Sequence, residues 1–208
     1  MKIRTSAAAV AVSSFALMAL NAPLAQANPL SLLPGSCGNQ VESQPFARWG
    51  DTYKYTAVAG GTFEAGSLPW ALFSGARVVS GNESYYVTAG TDRNSLSLPS
   101  GSSALSPAMC ASIYHPTLRL FVRNTGSSSS RLRVEALYPA LLGGVQSARI
   151  GEIGGASVWQ PTPTLTLTAA NLMATLSLQQ TVLAYRFTPE DASGQWSVDD
   201  VYLDPRMR

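Results

Sequence analysis

Apolar and polar residues alternate along this chain in short runs, and that period of two constrains the fold more than any other feature. The clearest run is Leu118-Arg-Leu-Phe-Val-Arg-Asn124, followed by Thr-Gly-Ser-Ser-Ser-Ser and then Arg131-Leu-Arg-Val-Glu-Ala-Leu137. Leu118, Leu120 and Val122 share one face of a strand, and Leu132, Val134 and Ala136 share one face of the next. Further strands are predicted at Gly60 to Glu64, Gly75 to Val79, Tyr85 to Ala89, Ser95 to Leu98 and Ala148 to Ile153. Others fall at Thr175 to Leu178, Val182 to Phe187 and Trp196 to Leu203. Leu165 and Leu167 alternate with threonines in the same way. Clusters of Gly, Ser, Pro and Asn separate the runs, and no stretch keeps a 3.6-residue apolar period over three turns. The class is therefore all-β, with strand number and spacing that suit a sandwich. Thr168 to Ala174 is the one stretch that reads as a helical turn.

Two segments far apart in sequence sharpen this. Gly61-Thr-Phe-Glu-Ala-Gly-Ser-Leu-Pro-Trp70 reads as a strand breaking into a turn, with Glu64 at the break. Trp196-Ser-Val-Asp-Asp-Val-Tyr-Leu-Asp-Pro205 reads as a closing strand carrying Asp199 and Asp200. Together they resemble the first and last strands of the galactose-binding-like jelly roll, the β-sandwich of many non-catalytic carbohydrate-binding modules. The resemblance covers roughly Gly60 to Pro205 and implies a jelly-roll β-sandwich of two antiparallel sheets. It also implies a structural calcium ion held by Glu64 and Asp199 with backbone carbonyls, since calcium takes six to eight oxygen ligands in irregular geometry. The plainer reading is that Glu64 caps a turn and Asp199 accepts N–H groups at a strand end. By the same resemblance Trp70 and Trp196 belong to the core.

The N-terminus has the three parts of an export signal: Lys2 and Arg4, an apolar run from Ala7 to Leu20, and the small-x-small pattern Ala25-Gln-Ala27. Residues 1–27 are thus expected to be cleaved, leaving 28–208 as a single secreted domain with 28–58 as an extended lead-in. The apolar run is short of the ~20 residues that span a bilayer, so no membrane insertion is expected after cleavage. Without Lys2 and Arg4 the charges balance, which argues against nucleic acid as partner. Two cysteines, Cys37 and Cys110, lack any C-x-x-C spacing and in an oxidising compartment are expected to pair. Closing that loop would stabilise the fold by about 4 kcal/mol in the chain-entropy model.

Enzyme motifs are missing from the sequence. His115 is the sole histidine, and there is no Gly-x-Ser-x-Gly elbow, no His-Glu-x-x-His and no phosphate-binding glycine loop. Asp199 and Asp200, adjacent on a strand, are expected to point to opposite faces and so to make a poor acid/base pair. The expected function is non-catalytic binding of carbohydrate or a cell-surface polymer. The rival readings are a structural or protein-interaction domain of the cell envelope, and a small polysaccharide hydrolase or lyase.

Candidate ligand residues follow from the hairpin reading. Arg119, Phe121 and Arg123 are expected to neighbour Arg131, Arg133 and Glu135 across an antiparallel pair. Four arginines around a phenylalanine point either to a ligand face or to a sheet covered by another segment. As a ligand face they favour an acidic polysaccharide, because guanidinium groups bind planar carboxylates bidentately. Trp159, between polar residues and prolines, is the preferred exposed ring for sugar stacking.

Overall fold

The computed structural model describes residues 40–64, 69–112, 116–140, 142–167 and 180–204. Cys37, His115, the signal region 1–27, the expected helical turn and the strand at Thr175 to Leu178 lie outside these residues.

Fourteen strands among the described residues form two antiparallel sheets, a jelly-roll β-sandwich. The eight-stranded sheet contains β1 (Glu42–Ser43), β2 (Tyr55–Ala57), β4 (Arg77–Ser80), β5 (Asn94–Pro99), β8 (Thr117–Asn124), β11 (Gln160–Pro161), β12 (Leu165–Thr166) and β14 (Gln195–Asp204). The six-stranded sheet contains β3 (Ala71–Phe73), β6 (Ser103–Leu105), β7 (Met109–Ser112), β9 (Leu132–Pro139), β10 (Val145–Ile153) and β13 (Gln180–Pro189).

The alternating leucines do what their spacing predicts. Leu118, Leu120 and Val122 on β8 and Leu132, Val134 and Ala136 on β9 all lie in the main core between the sheets. Their pairing, however, differs from the expected hairpin. β8 pairs with β14, β11 and β12, whereas β9 pairs with β10 and β13, so the serine-rich connection carries the chain from one sheet to the other. Two strands facing each other across a core show the same inward alternation as two strands side by side, and periodicity cannot separate them. Trp196 seals this crossing: it is fully buried, its indole N–H donates to Ser130 Oγ at 3.0 Å, and a Cβ on Gly155 would stand 2.8 Å from its ring. Trp70 joins the same core, 5.1 Å from the Phe63 ring and 5.8 Å from Phe187.

Two expected strands are turns. Gly60 to Glu64 folds through the bonds Gly61 N–H to Val58 O (2.8 Å) and Phe63 N–H to Gly60 O (3.1 Å). Gly61 must be glycine, because a Cβ would meet the carbonyl oxygens of Val58 at 2.9 Å and Val201 at 3.1 Å. Tyr85 to Ala89 belongs to a loop between β4 and β5. The lead-in is also more than extended chain: β1, a 3-10 turn (Ala47–Trp49) and β2 pack onto the eight-stranded sheet.

Candidate functional site

The four arginines expected on one face are divided: Arg119 and Arg123 stand on the eight-stranded sheet, Arg133 on the six-stranded sheet, and Arg131 in the loop before β9. On the eight-stranded sheet, Phe121 is fully buried beneath the lead-in, its ring stacked 5.5 Å from Phe46. Tyr55, Tyr202 and Trp159 complete this second, aromatic core. Arg119 is only 8% exposed; it lies 4.2 Å over the Phe46 ring, bonds Thr162 O at 2.9 Å and pairs with Asp51 at 2.7 Å. Trp159, expected to be exposed, is 7% exposed and carries the Arg123 guanidinium 5.0 Å from its ring centre. Of the two possibilities for this strand, the covered sheet is the one realised, because Phe46 supplies an apolar lid that alternation within β8 cannot reveal.

Arg133 stands at the exposed end of the outer face of the six-stranded sheet; further along the same face Leu105, Leu137, Val182 and Ala184 are buried in a small apolar cluster of their own. Arg131 instead folds back onto its own loop, donating to the carbonyls of Ser129 and Ser130, each at 3.0 Å. Arg133, Glu135, Arg186 and Thr188 line a depression of about 450 Å³ with Phe73, Ser102 and Ser103. Phe73 is 48% exposed and ends β3, opposite Ser103 of β6. The charges here are mixed: Arg133 lies 3.6 Å from Glu135 and 3.8 Å from Glu190, and Arg186 lies 4.0 Å from Glu135. Arg149 pairs with Glu190 at 2.8 Å and also with Glu152. Positive charge is thereby largely neutralised, and the surface offers hydroxyl-bonding groups around one exposed ring. Arg186 and Thr188 alternate with Tyr185 and Phe187 in β13, a pattern legible in sequence; Phe73 had no comparable signal.

The carboxylates of the closing strand are arranged differently from the period-two expectation. The β14–β8 register shifts between Asp199, opposite Phe121, and Tyr202, opposite Arg119. Asp200 takes a left-handed φ of +46°, a conformation that costs a non-glycine residue of order 1 kcal/mol. The bulge directs both carboxylates toward the loop between β4 and β5. Asp199 accepts Glu83 N–H and Asp200 N–H, both at 2.9 Å, and Asp200 Oδ1 accepts Thr88 Oγ1–H at 2.7 Å. Buried Glu83 accepts the backbone N–H of Tyr85 and, at 2.6 Å, of Val87. Burial, with neighbouring carboxylates adding to it, pushes Asp199 up to about 9 and Asp200 up to about 6. Asp92 is also raised, by burial and then by Glu64.

This donor set bears on the calcium ion that the resemblance implies. Glu64 Oε1 accepts Arg93 N–H at 2.7 Å and Asn94 N–H at 2.5 Å, so Glu64 and Asp199 both serve as N–H acceptors, as the plainer reading expects. The open acceptor is Asp200 Oδ2, buried and without a hydrogen-bond partner. Among the described residues no three metal-binding side chains are grouped to hold an ion by themselves. Buried carboxylates that raise one another's pKa are chemically suited to a hard cation, and Asp200 Oδ2 is the oxygen that would be free to ligate one.

Cys110 lies half-buried on β7, and its carbonyl accepts the side-chain N–H of Gln40 at 3.2 Å.

No protein-family model and no curated sequence matches the chain. Solved structures do match in shape. A CBM22-1–GH10 xylanase 10B of Clostridium thermocellum, complexed with xylohexaose, has TM-score 0.48 at 11% identity over 72% of this chain and 27% of that one. The CBM22-2 xylan-binding domain of Paenibacillus barcinonensis Xyn10C has TM-score 0.46 at 11% identity, covering 72% and 98%. The family 11 module of the Clostridium thermocellum cellulase Lic26A-Cel5E has TM-score 0.44 at 12% identity, covering 74% and 96%. The chain is similar in fold to carbohydrate-binding modules. A likeness of this degree carries no argument about a ligand, which has to come from the chain's own surface.

Proposed function

We propose that the protein is a secreted, non-catalytic polysaccharide-binding module whose ligand lies in the depression on the outer face of the six-stranded sheet. One observation carries the reading: the exposed Phe73 ring borders a cavity lined by Arg133, Glu135, Arg186 and Thr188. A sugar ring presents C–H groups to an aromatic face and hydroxyls to such polar side chains. Because the arginines here are each close to a glutamate, a neutral chain fits better than the acidic one expected from the arginine count. The Cys37–Cys110 bridge and a calcium ion near Glu64, Asp199 and Asp200 belong to the proposal as stabilising elements.

The test is retention of the purified protein on a panel of insoluble and gel-embedded neutral polysaccharides. Phe73→Ala with Arg186→Ala is expected to weaken binding at least tenfold while leaving the melt nearly unchanged. Failure to retain the protein on any member, or wild-type affinity in the double variant, would overturn the reading. For the ion, chelator is expected to lower the melting temperature and Asp200→Asn to abolish that sensitivity. An unchanged melt in protein assayed free of metal counts against it. Mass analysis finding two free thiols in exported protein would remove the bridge.

A further inference from the structure

Glu83 organises a second surface, on the opposite side of the sandwich from the depression. Its buried carboxylate takes the backbone N–H groups of Tyr85 and Val87, and its own N–H is tied to Asp199. Tyr86, between those two anchors, is held at φ +52° with its side chain 48% exposed. Tyr85 packs edge-on against Trp49 at 4.9 Å, and its hydroxyl donates to Trp159 O at 3.0 Å. Two guanidinium groups border this patch. Arg48, exposed on the lead-in, lies 5.7 Å from the Trp49 ring centre and 5.4 Å from that of Tyr85. Arg123 lies 5.0 Å from the ring of Trp159 and bonds Ser197 Oγ at 3.3 Å. Neither arginine takes part in any ion pair among the described residues. The contrast with the paired arginines of the other sheet is chemical: here neither guanidinium has a carboxylate in salt-bridge contact, and each lies beside aromatic rings.

We infer that Arg48, Trp49, Tyr85, Tyr86 and Arg123 form a second ligand site, selective for an acidic polysaccharide of the polyuronate class. The guanidinium groups pair with carboxylates of the polymer, and the half-buried Trp49 and exposed Tyr86 offer rings for the C–H faces of its sugars. Residues held by packing and by a buried carboxylate lose little freedom when a ligand arrives, which favours binding. The site goes beyond the proposed function and does not depend on the depression around Phe73. With both sites the protein is bivalent, able to bridge a neutral and an acidic polymer.

Electrophoresis through gels containing polygalacturonate tests this on the mature protein, residues 28–208. Retardation by polygalacturonate is expected, weakening as salt rises because the charges are exposed. Arg48→Glu, a surface change that leaves the cores intact, is expected to reduce retardation at least tenfold, and Arg123→Ala to reduce it further. Phe73→Ala with Arg186→Ala is expected to leave it unchanged, so failure of the depression and failure of this site are separable. Absence of retardation in the wild-type protein, persistence of it in Arg48→Glu, or its loss in the Phe73/Arg186 variant would each overturn the inference.

Discussion

The outer face of the eight-stranded sheet around Arg119 and the end of the six-stranded sheet's outer face around Arg133 and Arg186 begin from similar sequence material, arginines alternating with apolar residues, and end in opposite states. On the first, Phe46 and Tyr55 of the lead-in cover Phe121 and Tyr202, so that Arg119 is buried and must carry its own counter-ion, Asp51. On the second, Arg133, Arg149 and Arg186 remain in reach of solvent, balanced by glutamates at longer or more exposed contacts. The difference shows that an arginine in a basic stripe is available to a ligand only where no other segment arrives to cover it, as Phe46 covers Arg119. It also separates two kinds of ion pair: one whose rupture leaves a buried charge, and several that water can replace.

The largest expected effect tests the covered face. Phe46→Ala removes a fully buried ring that touches Phe121, Tyr55 and Tyr202, and should cost roughly 3–5 kcal/mol by chemical denaturation. A cost below about 1 kcal/mol would mean that the lead-in is not a structural part of the sandwich. Asp51→Ala should cost about 3 kcal/mol, since it strands the Arg119 guanidinium, whereas Asp51→Ala combined with Arg119→Met should recover much of the loss. Equal stability of single and double variants would argue against a buried pair.

A pH effect of intermediate size distinguishes the closing-strand bulge from both faces. Asp199 and Asp200 have folded values raised above those of an unfolded chain, so they favour the folded state most when protonated in it. Their contribution is full below about pH 4 and is lost as pH rises, through about 6 for Asp200 and about 9 for Asp199. In metal-free protein the melting temperature should therefore fall between those limits, and Asp199→Asn should flatten the upper part of the fall. A bound cation would reverse the dependence by favouring the ionised carboxylates. A melt that is flat in pH with and without chelator contradicts the buried cluster. The smallest effect is expected on the open face: Arg149→Ala, although it breaks contacts with Glu152 and Glu190, should change stability by less than about 1 kcal/mol.

Much of the architecture is legible in the amino-acid sequence. The inward sets Leu118/Leu120/Val122 and Leu132/Val134/Ala136 can be read there because the strand period is a local property of the backbone. Trp70 and Trp196 are legible as core residues through the turn and closing-strand motifs around them. The same local rule fails at Asp199 and Asp200, where one left-handed residue breaks the alternation and aims both carboxylates at one loop. It fails again at Tyr85 to Ala89, whose apolar and aromatic residues pack on the sheet from a loop anchored by Glu83.

What the sequence determined by itself was the all-β class and the core-facing side of its clearly alternating strands, such as β8 and β9, because burying every second side chain follows from chain geometry and the hydrophobic effect. Tertiary structure decided which strands are neighbours, which parts of each outer face are covered and which arginines meet a carboxylate. Those outcomes depend on contacts between residues distant in the chain, such as Phe46 with Phe121 or Glu83 with Asp199, and no local pattern encodes which distant segment will arrive.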